Sequence, residues 1–181
     1  MNKQFLVSSM VIMLSTPFSV NADTSNTVEV MLVSTLDEER GYCLDIAGGQ
    51  GVNAPLDRGL QAHTCYHYKG RILEDQGFDE ELITEGKFLI PYFDVCMSVS
   101  SVVENETISL QSCNDADTQK FILKPNGNLV TAVDPNLCIT VSSTEKKEGR
   151  GSSPVHVMRP VTLQVCDDSK DAYQIWSTNK I

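Results

Sequence analysis

Six cysteines, three histidines and a surplus of carboxylates are the groups in this 181-residue chain that could do chemistry. Thiols can bind zinc or close disulfides. No two cysteines form a Cys-x-x-Cys pair, and His63, His67 and His156 are scattered along the chain, so zinc is a poor reading. The stretch Gly48-Gly49-Gln50-Gly51 is glycine-rich, but it follows no strand–helix pattern and lacks a lysine, which argues against a phosphate cradle. Acid groups such as Asp79, Glu80 and Glu81, or Asp167 and Asp168, could serve glycoside hydrolysis, yet they fall in polar loop stretches. The thiols are the informative groups.

Their positions repeat. Cys43, Cys65 and Gln76-Gly77-Phe78 make one unit. Cys96, Cys113 and Gln119-Lys120-Phe121 make a second, and Cys138, Cys166 and Gln174-Ile175-Trp176 a third. Two unrelated landmarks that stay in phase three times define an internal repeat. If each unit is one structural module, its two cysteines pair within it, as Cys43–Cys65, Cys96–Cys113 and Cys138–Cys166. Loops of this size are each worth roughly 3 kcal/mol in the chain-entropy picture, a large share of an ordinary domain's stability.

The text between the landmarks predicts strands. Tyr42-Cys43-Leu44-Asp45-Ile46, Val95-Cys96-Met97-Ser98-Val99 and Leu137-Cys138-Ile139-Thr140-Val141 open the units. A second run in each ends in the second cysteine: Leu60 to Cys65, Ile108 to Cys113 and Val161 to Cys166. Alternating apolar residues rich in β-branched types read as half-buried strands. Phe121 to Val130, with Asn126-Gly127 at its middle, reads as a hairpin. Many short strands and no long helical period predict an all-β domain. Glu145 to Pro160, rich in glycine, serine and charge, reads as a long loop inserted into the third unit, either a disordered excursion or a partner contact.

The first 22 residues read as a secretory signal: Lys3 gives a positive start, Phe5 to Phe18 is largely apolar, and Val20-Asn21-Ala22 is a cleavage site. The apolar run is too short and too interrupted for a membrane anchor, and no other segment could span a bilayer. Residues 23–181 then form one domain, secreted or periplasmic, in an oxidising compartment suited to disulfides. With 14 Lys and Arg against 24 Asp and Glu, the net charge is −10. That balance argues against nucleic acid or an anionic membrane surface as partner.

Three units of Cys-apolar-x-apolar, then a run into a second cysteine, then Gln-x-Trp or Gln-x-Phe, resemble the ricin-type β-trefoil lectins across residues 28 to 179. The resemblance implies a β-trefoil, with repeats of about 28–80, 81–124 and 125–181, and with Phe78, Phe121 and Trp176 packed in a shared core. It also implies a carbohydrate-binding protein with no catalysis of its own and no cofactor, whose partner is a glycan of the galactose type. A sugar site needs a carboxylate and amides for vicinal hydroxyls and a flat ring for the C–H face. Carried over position by position, the first unit supplies Asp45, Gln61, His63 and Asp75, with His63 where Trp or Tyr is usual and Asp75 where Asn is usual. The second unit has Ser98, Gln111 and Thr118 at the corresponding places, and the third has Thr140, Gln164 and Tyr173. The resemblance therefore implies a single sugar site in the first unit. Turn capping over Ala47-Gly48-Gly49 is the alternative role for Asp45. Two other functions stand beside the lectin reading: a targeting subunit of a secreted toxin or enzyme complex that binds a protein partner, and an enzyme inhibitor.

Overall fold

The computed structural model describes residues 26–49, 51–150 and 154–180. The secretory-signal reading falls on residues 1–22, outside the described residues.

Strands come in fours. The first set is β1 (Thr27–Leu32), β2 (Tyr42–Ile46), β3 (Leu60–Thr64) and β4 (Phe78–Asp79). A short helix α1 (Glu80–Thr84), capped by the Asp79 side chain, leads to β5 (Leu89–Ile90), β6 (Val95–Ser98), β7 (Ser109–Ser112) and β8 (Phe121–Leu123). The third set is β9 (Leu129–Thr131), β10 (Leu137–Val141), an extra strand β11 (Lys147–Glu148), β12 (Val157–Val165), a short helix α2 (Asp171–Gln174) and β13 (Trp176–Asn179). The pairing is antiparallel throughout. β13-β1-β2-β3-β12-β10-β9-β8 form one curled sheet, with β4 on β1 and β11 on β12, and β5-β6-β7 form a second. First and last strands meet, with Leu32 opposite Trp176, so the chain closes on itself.

The centre is filled by equivalent residues from all three units. Leu44, Met97 and Ile139, each one past the first cysteine of its unit, are fully buried. Phe78, Phe121 and Trp176 are buried beside them, with Phe88 meeting Phe78 and Phe121 edge to face. The Trp176 indole N–H donates to the Ile139 carbonyl at 2.9 Å. All six cysteines are bonded, as Cys43–Cys65, Cys96–Cys113 and Cys138–Cys166, closing 22, 17 and 28 residues. The expected hairpin is present: β8 pairs with β9 and Gly127 takes φ +90° at the turn, where a Cβ would lie 2.5 Å from the Ile175 side chain.

The segment from Glu145 to Pro160 departs from its sequence reading as an irregular loop. β11 pairs with the start of β12, Lys147 opposite Met158, so the described part of the insertion is a strand pair. β12 also pairs with β3 of the first unit, Met158 opposite His63 and Pro160 opposite Gln61. Side-chain bonds tie it down. Thr64 Oγ1 accepts from the Val157 N–H at 2.8 Å, Arg40 donates to the Val155 carbonyl, and buried Arg159 donates to Asp37 and the Tyr42 hydroxyl. Local polarity suggested a loop; long-range strand pairing supplied the order.

Candidate functional site

In each unit the glutamine of the Gln-x-aromatic triplet performs the same task. Its carbonyl oxygen accepts from the N–H just after the second cysteine: Gln76 from Tyr66, Gln119 from Asn114 and Gln174 from Asp167. Its amide donates to the carbonyl just before that cysteine, at Thr64, Ser112 and Val165. All three side chains are buried, and burying an amide is tolerable only when it is bonded in this way. The glutamines therefore pin the chain leaving each disulfide.

What faces this clamp differs from unit to unit. In the first, β2 and β3 pair with Asp45 opposite Gln61. Gln61 donates to one Asp45 oxygen at 2.9 Å and Gln76 to the other at 3.1 Å. The carboxyl is 1% exposed. Burial pushes it well above the usual carboxylate range, repulsion from Asp75 adds to this, and the two amides oppose it. Asp75 is also buried and is raised by desolvation, against the Gly51 N–H that donates to it at 2.9 Å. Its other oxygen has no partner among the described residues. Gly49 must be glycine here, since a Cβ would sit 2.4 Å from that carboxyl.

The turn-capping role considered for Asp45 is not what the structure holds. The Ala47 and Gly49 N–H groups bond to the Gly59 and Ile46 carbonyls, and the carboxyl that ties this turn is Asp75, through Gly51. Asp45 instead organises two glutamine amides.

His63, at the place of a platform ring, is 8% exposed. Its Nδ1 lies 2.8 Å from the Thr64 carbonyl, which only accepts, so Nδ1 carries the proton; the 3.3 Å approach of the Gln76 amide to the same nitrogen is then a contact and not a bond. Burial pulls this imidazole down to about 4, so it is neutral at physiological pH. The histidines, scattered in sequence, come together in part. His156, from the insertion, meets His63 edge-on at 5.1 Å and Tyr66 at 5.3 Å, and Tyr68 bonds to its Nε2. His67 instead pairs with Glu29. Glu29, Cys43, Cys65 and His67 converge within 4.8 Å, but those thiols are the disulfide and Glu29 already accepts from the Tyr66 and His67 N–H groups. The cluster braces the fold.

Above these residues lies an open cleft of about 510 Å³, walled by Gln61, His63 and Tyr66 from the first unit and by Lys147, His156 and Met158 from the insertion. Asp45 lies behind its wall. Of the four residues singled out from the sequence, Gln61 and His63 line the cleft, while Asp45 is bonded to Gln61 behind it and Asp75 holds the neighbouring turn. Sequence reasoning missed Gln76 as the second holder of Asp45, although the triplet itself was visible. It missed Tyr66, signalled only by following a second cysteine, and the insertion residues, which no local signal connects to Cys65.

The second and third units have no carboxyl at the corresponding place. Ser98 Oγ is buried with no partner among the described residues. Thr140 Oγ1 accepts from Gln174 at 2.9 Å.

Compared with known families, residues 31–176 match the ricin-type beta-trefoil lectin domain. The chain belongs to that family. No curated protein matches the chain. Among solved structures, this ricin-type domain resembles the C-terminal domain of an earthworm lectin, a mutant in complex with 6'-sialyllactose, at 16% identity and TM-score 0.54, covering 85% of this chain and 98% of that one. It also resembles the β-trefoil lectin of the Vibrio vulnificus hemolysin/cytolysin with N-acetyl-D-lactosamine bound, at 16% identity and TM-score 0.51 over 85% and 93%. A designed threefold-symmetric protein matches at 14% identity and TM-score 0.55 over 86% and 99%. These likenesses establish the β-trefoil.

Proposed function

We propose that this ricin-type domain is an exported, non-catalytic lectin that binds a glycan through the first unit alone. The supporting observation is the contrast just drawn: among the described residues, only the first unit holds a carboxyl bonded to two glutamine amides beside an open cleft. Gln61 meets the sugar's hydroxyls first. Turning its amide aside exposes Asp45, which accepts from two adjacent hydroxyls. Asp75 holds the Gly49–Gly51 turn that edges the site, and His63 with Tyr66 supplies the apolar wall. Three disulfides, and the lack of any helix among the described residues long and apolar enough to cross a membrane, are consistent with an extracellular location.

A glycan array on residues 23–181, including galactose-type sugars, followed by calorimetric titration of the best ligand, tests this. Hydrogen bonds to a charged group contribute about 1.5–3 kcal/mol each, so Asp45→Ala should take a roughly millimolar binder below detection. Ser98→Ala and Thr140→Ala should leave affinity unchanged. Undiminished binding by Asp45→Ala removes the first unit from consideration.

A further inference from the structure

The cleft carries a charge opposite to that of the chain. Arg58 projects from the turn before β3, while Lys147 and Arg150 come from the insertion; all three are exposed and line the cleft. No aspartate or glutamate lines it among the described residues, although the chain has 24 acids against 14 bases. Asp57 lines only the adjoining cavity, which shares Arg58, Gln61 and Lys147 with the cleft. None of the three cations makes an ion pair with a described residue, whereas Lys146, one position before Lys147, pairs with Asp37 at 2.9 Å. Two further cations stand at the same rim. The Lys69 ammonium lies 4.7 Å from the centre of the Tyr66 ring; Arg40 lies over Tyr68, but its charge is paired with Glu38 at 2.6 Å. Both help hold the His156 imidazole below its ordinary range, after the effect of burial itself.

Cations drawn from two distant segments to one cleft form a site for an anion, and the neutral amide of Gln61 beside them serves hydroxyls. We propose that the cleft selects an acidic saccharide, whose carboxylate or sulfate engages Arg58, Lys147 and Arg150 while a ring hydroxyl meets Gln61. This rests on the reading that the first unit's cleft holds a glycan. Lys147 and Arg150 belong to the inserted strand pair, so the third unit would set the specificity of a site built on the first.

Matched pairs test it: galactose against galacturonic acid, and N-acetyllactosamine against its 6-sulfate, titrated into residues 23–181. The acidic member should bind roughly tenfold tighter at low ionic strength, the size expected from two partly exposed ion pairs. That ratio should fall to about one at about 0.5 M sodium chloride, where screening is nearly complete. It should fall likewise in the Arg58→Gln, Lys147→Gln double variant, whose melting temperature should match the parent because neither side chain bonds to a described residue. Asp45→Ala should weaken both members of a pair together. Equal binding of both members, abolished by Asp45→Ala, overturns the acidic preference and leaves the glycan site standing. A preference that survives in the double variant also overturns it. Binding of no member, acidic or neutral, overturns both. Full competition by inorganic sulfate alone overturns the saccharide part, leaving an anion site.

Discussion

Gln76 and Gln174 occupy the same place in two units, yet one donates to a carboxylate and the other to a hydroxyl. In the second unit Gln119 has the same backbone partners, while the Ser98 hydroxyl lies buried without a partner among the described residues. The clamp is thus common architecture, and the group it faces is free to vary. A buried hydroxyl is a modest cost, but a buried carboxyl is a large one, and it raises the carboxyl's affinity for a proton. The first unit keeps the expensive group and sets a second one, Asp75, beside it. Both carboxyls also hold local structure, Asp45 through two glutamine amides and Asp75 through the Gly51 N–H.

The comparison can be broken or sharpened in several ways. Trp176→Ala should cost roughly 3–5 kcal/mol in denaturant unfolding, because it removes a buried ring and the bond to Ile139 that are part of the common frame. A loss under about 1 kcal/mol would mean the three triplets are not equivalent core positions.

Opening any one disulfide should cost roughly 3 kcal/mol, with the Cys138–Cys166 loop of 28 residues costing slightly more than the Cys96–Cys113 loop of 17. A much larger loss from Cys43–Cys65 alone would show that the first unit relies on its crosslink in a way the others do not.

His63 should give the first unit its own acid sensitivity. Its folded value of about 4 lies below the ordinary 6.5, so its contribution is present above pH 6.5 and is lost as pH falls from there towards 4. The loss can reach about 3 kcal/mol. Thermal melts of His63→Gln between pH 7 and 4 should show a shallower decline than the parent.

Asp45 works in the other direction. Its folded affinity for a proton is raised, so the stability it contributes is full below the unfolded value and declines as pH rises through the folded one. The melting temperature of Asp45→Asn relative to the parent should therefore climb from pH 4 to pH 8. A constant difference would mean that the carboxyl is solvated.

The smallest effects separate the other two units. Ser98→Ala should stabilise by about 1 kcal/mol, since it removes an unsatisfied buried hydroxyl. Thr140→Ala should destabilise by about 1 kcal/mol through loss of the Gln174 bond. Circular-dichroism melts would resolve the opposite signs.

Much of the frame was legible along the chain because disulfides and strand alternation are local or periodic signals. The cysteine–glutamine phase revealed three modules, and their pairing followed from it. The runs around Cys43, Cys96 and Cys138 became β2, β6 and β10. The insertion was misread because glycine, serine and lysine at 145–153 carry loop signals. The partner that orders it, β3, lies far away in sequence and leaves no local trace. His63 and His156, separated by more than half the chain, met for the same reason.

By itself the sequence determined the three modules and, taking each as one unit, the disulfide pairs, while its resemblance to the ricin-type lectins implied the shared aromatic centre and a single aspartate at the carboxylate position. Those features depend on residue type and spacing, which the chain states directly. Only tertiary structure decided that Asp45 would lie behind Gln61, that Asp75 would hold the neighbouring turn, and that an insertion of the third module would form a cationic wall over the first. Such placements follow from which strands find each other, and β12 reaches β3 only because closing the trefoil brings two distant modules side by side.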